Sequence, residues 1–230
     1  MRARRIALQI LGSAEYIPAT RKSSEELDRR WNKRSGWTRR QTGVVSRAYA
    51  GAGEDVVTMG AAAAKRALIA ADVAASRLDA IVCVGSVPYQ AIPCTAAFLQ
   101  RALGLEASGI PAFDVNATCL GFIVALDLVA QGIATGRYRT VLIVASEAVS
   151  LGLHGDDPST AALFGDGAGA VVVGSARREG ALLYASHLQT FSAGVEFCQI
   201  RAGGSGLSPR DRTHEEYLAA TAFEIGRAHV

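Results

Sequence analysis

Apolar residues in this chain fall into short blocks separated by longer stretches with helical spacing. Residues 6–12 are rich in aliphatics and read as a first strand ended by Gly12. Ser23-Ser-Glu-Glu-Leu27 reads as a helix start, with serine as cap and two acids in the first turn. Over residues 55–71, Val56, Met59, Ala63, Ala67 and Leu68 recur on one helical face. Residues 80–85 and 111–115 are short branched or aromatic blocks and read as strands, with a helix over 93–103 that carries Pro93 in its first turn. Residues 119–133 are apolar almost all round, so the spacing predicts a helix buried in the middle of the fold. Further strands are expected over 140–145, 168–174 and 181–187, and flexible stretches over 50–54, 154–159 and 202–212, the last of these as an exposed loop. Strands alternating with helices of this length imply an α/β protein with helices packed against a sheet.

Composition narrows the possibilities. The chain has 230 residues, half of them hydrophobic, and a net charge of +3, too small to argue for nucleic acid. Cys83, Cys94, Cys119 and Cys198 form no CxxC pair and no metal spacing, which points to a reducing, cytoplasmic setting and to no resident metal. The basic start, Met1-Arg-Ala-Arg-Arg5, resembles a signal-peptide n-region, but the apolar stretch after it is short and contains Gln9. No run approaches the ~18 apolar residues of a membrane span.

Cys119 carries the chemistry. It lies in Asp114-Val-Asn-Ala-Thr-Cys-Leu-Gly-Phe122, where a strand leads into the apolar helix. The positive end of a helix favours a thiolate and hence nucleophilic attack. A free cysteine without such a setting is usually a small buried hydrophobe, and Cys83, Cys94 and Cys198 are read that way or given no chemistry. Gly165-Asp-Gly-Ala-Gly lacks the Gly-Lys-Ser/Thr of a phosphate loop and enters a strand, so Asp166 is read as structural.

The segment around Cys119 resembles the active-site segment of β-ketoacyl-acyl-carrier-protein synthase III. Leu163-Phe-Gly-Asp-Gly-Ala-Gly-Ala170 is similar to that family's glycine-rich signature. Trp37 with Thr42-Gly43 and Arg47 resembles its N-terminal pattern, and Pro93-Cys-Thr-Ala96 also fits. The resemblance implies the thiolase-like layered α/β/α/β/α fold, mainly its N-terminal half: residues 1–174 as the half with the nucleophile and 175–224 as the start of the second half. It implies Cys119 as acyl acceptor in a decarboxylating Claisen condensation of an acyl thioester with a malonyl thioester. Acyl-coenzyme A or acyl-carrier-protein thioesters are then substrates, no cofactor is held permanently, and the complete protein is a homodimer. The relatives' histidine and asparagine partners match no position here: His154, His187, His214 and His229 stand in other contexts, as do Asn32 and Asn116. The end, Glu224-Ile-Gly-Arg-Ala-His-Val230, reads like a translated sequencing adapter, so residues 225–230 are expected to be non-native and the chain to be an inactive N-terminal fragment with an exposed apolar face.

Substrate clues follow the same resemblance. Trp37 matches the tryptophan that lines the coenzyme entrance, and Ile92 a position bordering the acyl channel across the dimer interface. Arg29, Arg30, Lys33, Arg34, Arg39 and Arg40 form a basic stretch suited either to solvent or to an acidic carrier protein and coenzyme phosphates. Two arginines of the relatives are replaced, by Gln41 and in Pro158-Ser-Thr160, leaving Arg40 as the neighbouring candidate for that charge. Condensation of two acyl thioesters, acyl transfer to oxygen or nitrogen, and a non-catalytic partner subunit are the alternatives.

Overall fold

The structure, a computed structural model, describes residues 5–153, 155 and 157–225. In chain order the elements begin with β1 (Ile6–Ala7), β2 (Gln9–Tyr16), β3 (Arg21–Ser23), α1 (Ser24–Arg30), α2 (Trp37–Thr42), β4 (Ser46–Ala48) and α3 (Val56–Ala71). Next come β5 (Ala80–Val84), α4 (Thr95–Ala102), β6 (Ala112–Val115), α5 (Gly121–Ala134) and β7 (Thr140–Glu147). The last are α6 (Pro158–Ala161), β8 (Gly167–Gly174), β9 (Leu182–Leu183), β10 (Cys198–Gln199), α7 (His214–Ala220) and β11 (Glu224–Ile225). His154, His229 and residues 226–230 of the expected tail lie outside the described residues; Ile225 pairs with Cys198.

The chain divides into two compact units. The first, residues 1–19, 50–147 and 166–188, holds a five-stranded mixed sheet in the order β2-β8-β7-β5-β6. β5 runs parallel to β6 and β7, while β8 is antiparallel to β7 and β2. All five residues of β5 are buried, as expected of a central parallel strand covered on both faces. On one face Val82, Val84, Val141, Ile143 and Val173 pack against Ala125, Val129, Ala130 and Ile133 of α5. On the other, α3 comes so close that a methyl group on Gly60 would lie 3.2 Å from Val144 Cγ1. Asp55 caps α3 by accepting the N–H groups of Val57 (2.9 Å) and Thr58 (2.8 Å).

The second unit, residues 20–49, 148–165 and 189–230, contains the β3–β4 ladder, α1, α2, α6, α7 and the β10–β11 pair. Ser23 opens α1 with a reciprocal cap: its hydroxyl accepts the N–H of Glu26, whose carboxylate accepts the N–H of Ser23. Arg47 is buried and donates to Thr42 Oγ1 (3.1 Å), Ser24 Oγ (3.3 Å) and the carbonyl of Ala162. Burial holds its guanidinium below the ordinary arginine value.

Several expectations are corrected. The first strand is two: the chain breaks at Leu8, and β2 runs through Gly12 to Tyr16. Gly12 is interior because the end of α3 passes over it; a methyl group there would lie 2.4 Å from Ala71 N. Pro93 stands before α4, whose cap is Cys94. The strand expected over 181–187 is only Leu182–Leu183. α5 starts at Gly121 rather than Cys119, and it is buried on one face only: Ile123 and Leu128 are exposed. α5 packs on a single sheet, which removes one stripe of it from water.

Candidate active site

β6 ends at Val115, and the chain must turn sharply to enter α5. Asn116 makes that turn by accepting the N–H of Thr118 on its side-chain oxygen (3.1 Å). Thr118 takes a left-handed backbone, φ 47°, which a β-branched residue seldom adopts. A single 3₁₀ turn, Thr118–Leu120, follows, closed by Leu120 N–H on the carbonyl of Ala117 (3.0 Å). Cys119 is the middle residue of that turn, and it is exposed. The first amides of α5, which have no partner within the helix, lie directly after it.

A further loop leaves the same end of the sheet. Residues 85–93 connect β5 to α4 and carry Ile92, which is 83% exposed. Asp114, on β6, ties the far end of that loop: its two carboxylate oxygens accept the N–H groups of Thr95 (2.8 Å) and Ala96 (2.7 Å). β7 ends beside it in Glu147, whose Oε1 accepts the N–H of Ser86 at 2.5 Å. Burial pushes the Glu147 carboxyl up, and hydrogen bonds from Ser86 and Val87 offset part of the rise. An open cleft of about 450 Å³ lies on the α5 side of the sheet, lined among others by Phe122, Ile143, Ala145, Gly169 and Val171.

Cys83 lies within β5. Burial first, and then the charges of Asp114 and Glu147, push its thiol up to about 12, so it remains protonated at neutral pH. Cys94 is half-buried, with its sulfur 3.9 Å from the carbonyl of Ala112. Cys198 is exposed on β10, and His187 is exposed between β9 and β10. Asp166 accepts the N–H of Ala50 at 2.7 Å.

Cys119 and Ile92 thus belong to the first unit, Trp37 and Arg40 to the second. Trp37 opens α2 and is half-exposed, with the Lys33 ammonium 5.2 Å from its ring. Arg40 is exposed and donates to the carbonyl of Ser35 (3.3 Å). α2 is anchored from below by Asp28, which is buried and accepts the N–H (2.8 Å) and hydroxyl (2.6 Å) of Thr38. Sequence reasoning missed Asp28, Asp114 and Glu147. The available signal was an acid inside or at the end of an otherwise apolar strand, as at 114 and 147.

These observations agree with the comparisons to known proteins. Residues 113–192 match the family model of 3-oxoacyl-[acyl-carrier-protein] synthase III. The chain is 38% identical over 180 residues to the β-ketoacyl-[acyl-carrier-protein] synthase III of Aliivibrio fischeri, covering 78% of this chain and 56% of that one. It is 32% identical over 222 residues to the protein of the same name from Psychromonas ingrahamii, covering 96% of this chain and 68% of that one. The chain belongs to the synthase III family. The solved 3-oxoacyl-(acyl carrier protein) synthase III of Pseudomonas aeruginosa superposes with a TM-score of 0.83 at 29% identity, covering 95% of this chain and 64% of that one. The fold is therefore the thiolase-like α/β arrangement of synthase III proteins. The chain spans about half to two thirds of the length of these relatives.

Proposed function

We propose that the full-length protein is an acyltransferase that joins an acyl thioester to a malonyl thioester by decarboxylative Claisen condensation. The observation that carries this reading is the exposed Cys119 in the turn between β6 and α5 of a synthase III chain. The thiolate of Cys119 attacks the thioester carbonyl, a C–S bond forms, and the donor leaves as a thiol after taking up a proton. The oxyanion formed on the way draws on backbone N–H groups where the turn enters α5. Loss of carbon dioxide from the malonyl thioester leaves its electron pair on carbon. That carbanion attacks the acyl group, forms the new C–C bond and expels the Cys119 thiolate.

The histidine and asparagine that complete this chemistry in the resemblance match no residue here. We place them in the part of the relatives that this chain does not span, so the 230 residues alone are inactive in condensation. The exposed apolar side chains of Leu120 and Ile123, beside the nucleophile, support a covering segment over them. Trp37 and Arg40 are assigned to the coenzyme or carrier end of the thioester, and Ile92 to the acyl end. A homodimer is supported by β6, an edge strand with Phe113 exposed, and by the exposed Val87, Tyr89 and Ile92 of the neighbouring loop. The setting is cytoplasmic on this reading; among the described residues no helix is long and apolar enough to cross a membrane.

The test is direct. Full-length protein incubated with acyl-coenzyme A or acyl-carrier-protein thioesters of several lengths should gain acyl mass on the Cys119 peptide, and Cys119→Ala should abolish it. Absence of an adduct with every donor, or loading unaffected in Cys119→Ala, overturns the reading.

A further inference from the structure

β7 is apolar for most of its length and ends on a carboxylate. Val141 and Ile143 face α5, so the alternation of the strand carries Ala145 and Glu147 onto that same face. The Glu147 carboxylate accepts the N–H of Ser86 at 2.5 Å, and hydrogen bonding from Ser86 and Val87 offsets part of the rise that burial gives its carboxyl. A carboxylate that accepts such donors makes shorter and stronger bonds than a neutral acceptor. Gly85 lies alongside, where an added methyl group would be 3.5 Å from Oε1.

The loop that starts at Ser86 has fixed points at both ends. At the far end, the Tyr89 N–H bonds Thr95 Oγ1 (3.1 Å), the Tyr89 ring lies 4.9 Å from that of Phe98, and Asp114 holds the first turn of α4. At the near end the tie is Glu147. Between them Val87 and Ile92 are 54% and 83% exposed. The turn that bears Cys119 rests on the same strand: a methyl group on Gly121 would lie 3.2 Å from Cβ of Val84, one residue before Gly85. Glu147 therefore fixes the chain at the point where the loop departs from beneath the nucleophile's helix.

We infer that Glu147 is a positioning residue for substrate selection: it sets the course of the Val87–Ile92 loop and so limits the length of chain that reaches the Cys119 thiol across the proposed dimer interface. This rests on the reading of Cys119 as acyl acceptor with Ile92 beside the acyl chain. The test uses full-length protein and the variants Glu147→Gln and Ser86→Ala; the second keeps the carboxylate and the Ser86 N–H and removes only the serine hydroxyl beside them. Amide exchange is measured on the Ser86–Val87 peptide. Alkylation of the Cys119 peptide is followed with N-ethylmaleimide and with a long-chain N-alkylmaleimide, which label a reachable thiol whether or not the protein is an enzyme. Glu147→Gln should speed exchange at Ser86 and Val87 by at least tenfold and change the long-to-short alkylation ratio by at least threefold, with a smaller change of the same sign in Ser86→Ala. Unaltered exchange, or a ratio within experimental error of the parent in both variants, overturns the inference. A parent that reacts with maleimides but accepts no acyl group from any thioester overturns the acyl-acceptor reading, and with it the link to substrate, while the ratio still decides whether Glu147 controls access.

Discussion

Gly121 packs against Val84 with no room for a side chain: a methyl group would lie 3.2 Å from Val84 Cβ and 3.6 Å from the carbonyl oxygen of Val115. A glycine two residues after Cys119 is thus favoured by the contact of a helix with the sheet beneath it. Gly121→Ala must lift the start of α5 by a few tenths of an ångström, because Val84 is held in the core and cannot yield. Overpacking of this kind costs ~1–3 kcal/mol. The expected result is a folded protein with a lower melting temperature and Cys119 acylation slowed about tenfold, since small misplacements of reacting groups are costly. Thermal melting and acyl-mass kinetics on the full-length protein check both parts.

Thr118 stores strain immediately before Cys119. Its φ of 47° costs a side-chain-bearing residue ~1–2 kcal/mol, whereas glycine adopts it freely and loses roughly 0.5–1 kcal/mol in chain entropy. Thr118→Gly should therefore leave stability unchanged or raise it by up to ~1 kcal/mol, while a looser turn slows acylation of Cys119. Urea denaturation with acylation kinetics checks this; a clear loss of stability would show that the turn is not strained.

The element types were legible because burial writes its period into the chain. The β5 block at 80–84 is apolar throughout and is buried throughout, and Ser23 announces α1 by the cap it forms. The position of Cys119 at a strand-to-helix junction was legible from its motif. What escaped were features fixed by partners distant in sequence. Gly12 looked like a strand end, because nothing local reveals that Ala71 crosses over it. The even hydrophobicity of residues 119–133 could not say that Ile123 and Leu128 would be left exposed. Glu147 fell beyond the strand expected over 140–145, and its donor Ser86 lies 61 residues away. Asp28 looked like one acid in a solvated basic helix until Thr38 closed over it.

Asp28 should matter to the thioester end that the proposal assigns to Trp37 and Arg40. Burial alone would push its carboxyl up, but the hydroxyl and amide of Thr38, with the amides of Gly36 and Trp37, more than offset this and hold it below the ordinary aspartate value. A depressed carboxylate adds stability above its unfolded pKa, and that stability is lost as pH falls through the folded value. Asp28→Asn should therefore narrow its stability gap to the parent as pH is lowered from 7 to 3. Because α2 carries Trp37 and Arg40, the variant should also raise KM for acyl-coenzyme A severalfold with little change in kcat. Steady-state kinetics at pH 7 and melting curves across the pH range test the two halves separately.

Glu147 carries the opposite sign. Its carboxyl is pushed up by burial, so the fold favours the protonated form. The associated stability is full below the unfolded value of about 4.3 and is lost as pH rises through the folded value. Glu147→Gln removes the titration, so the stability of the variant relative to the parent should increase between pH 4 and pH 8. Melting temperatures of both proteins across that range test this. A constant or decreasing difference would show that hydrogen bonding from Ser86 and Val87 outweighs burial.

Accessibility separates the cysteines. Cys83 is buried and its thiol is pushed up to about 12, so at pH 8 it is neutral and out of reach. Cys119 and Cys198 are exposed. Brief treatment of the native protein with iodoacetamide at pH 8 should label Cys119 and Cys198 and leave Cys83 unmodified, and denaturant should make Cys83 react. Prior loading with an acyl thioester should then protect Cys119 alone, since Cys198 takes no part in the proposed chemistry. Peptide mass mapping reads all three sites in one experiment. Protection of Cys198, or labelling of native Cys83 at the rate of Cys119, would contradict the placement of the nucleophile in the turn before α5.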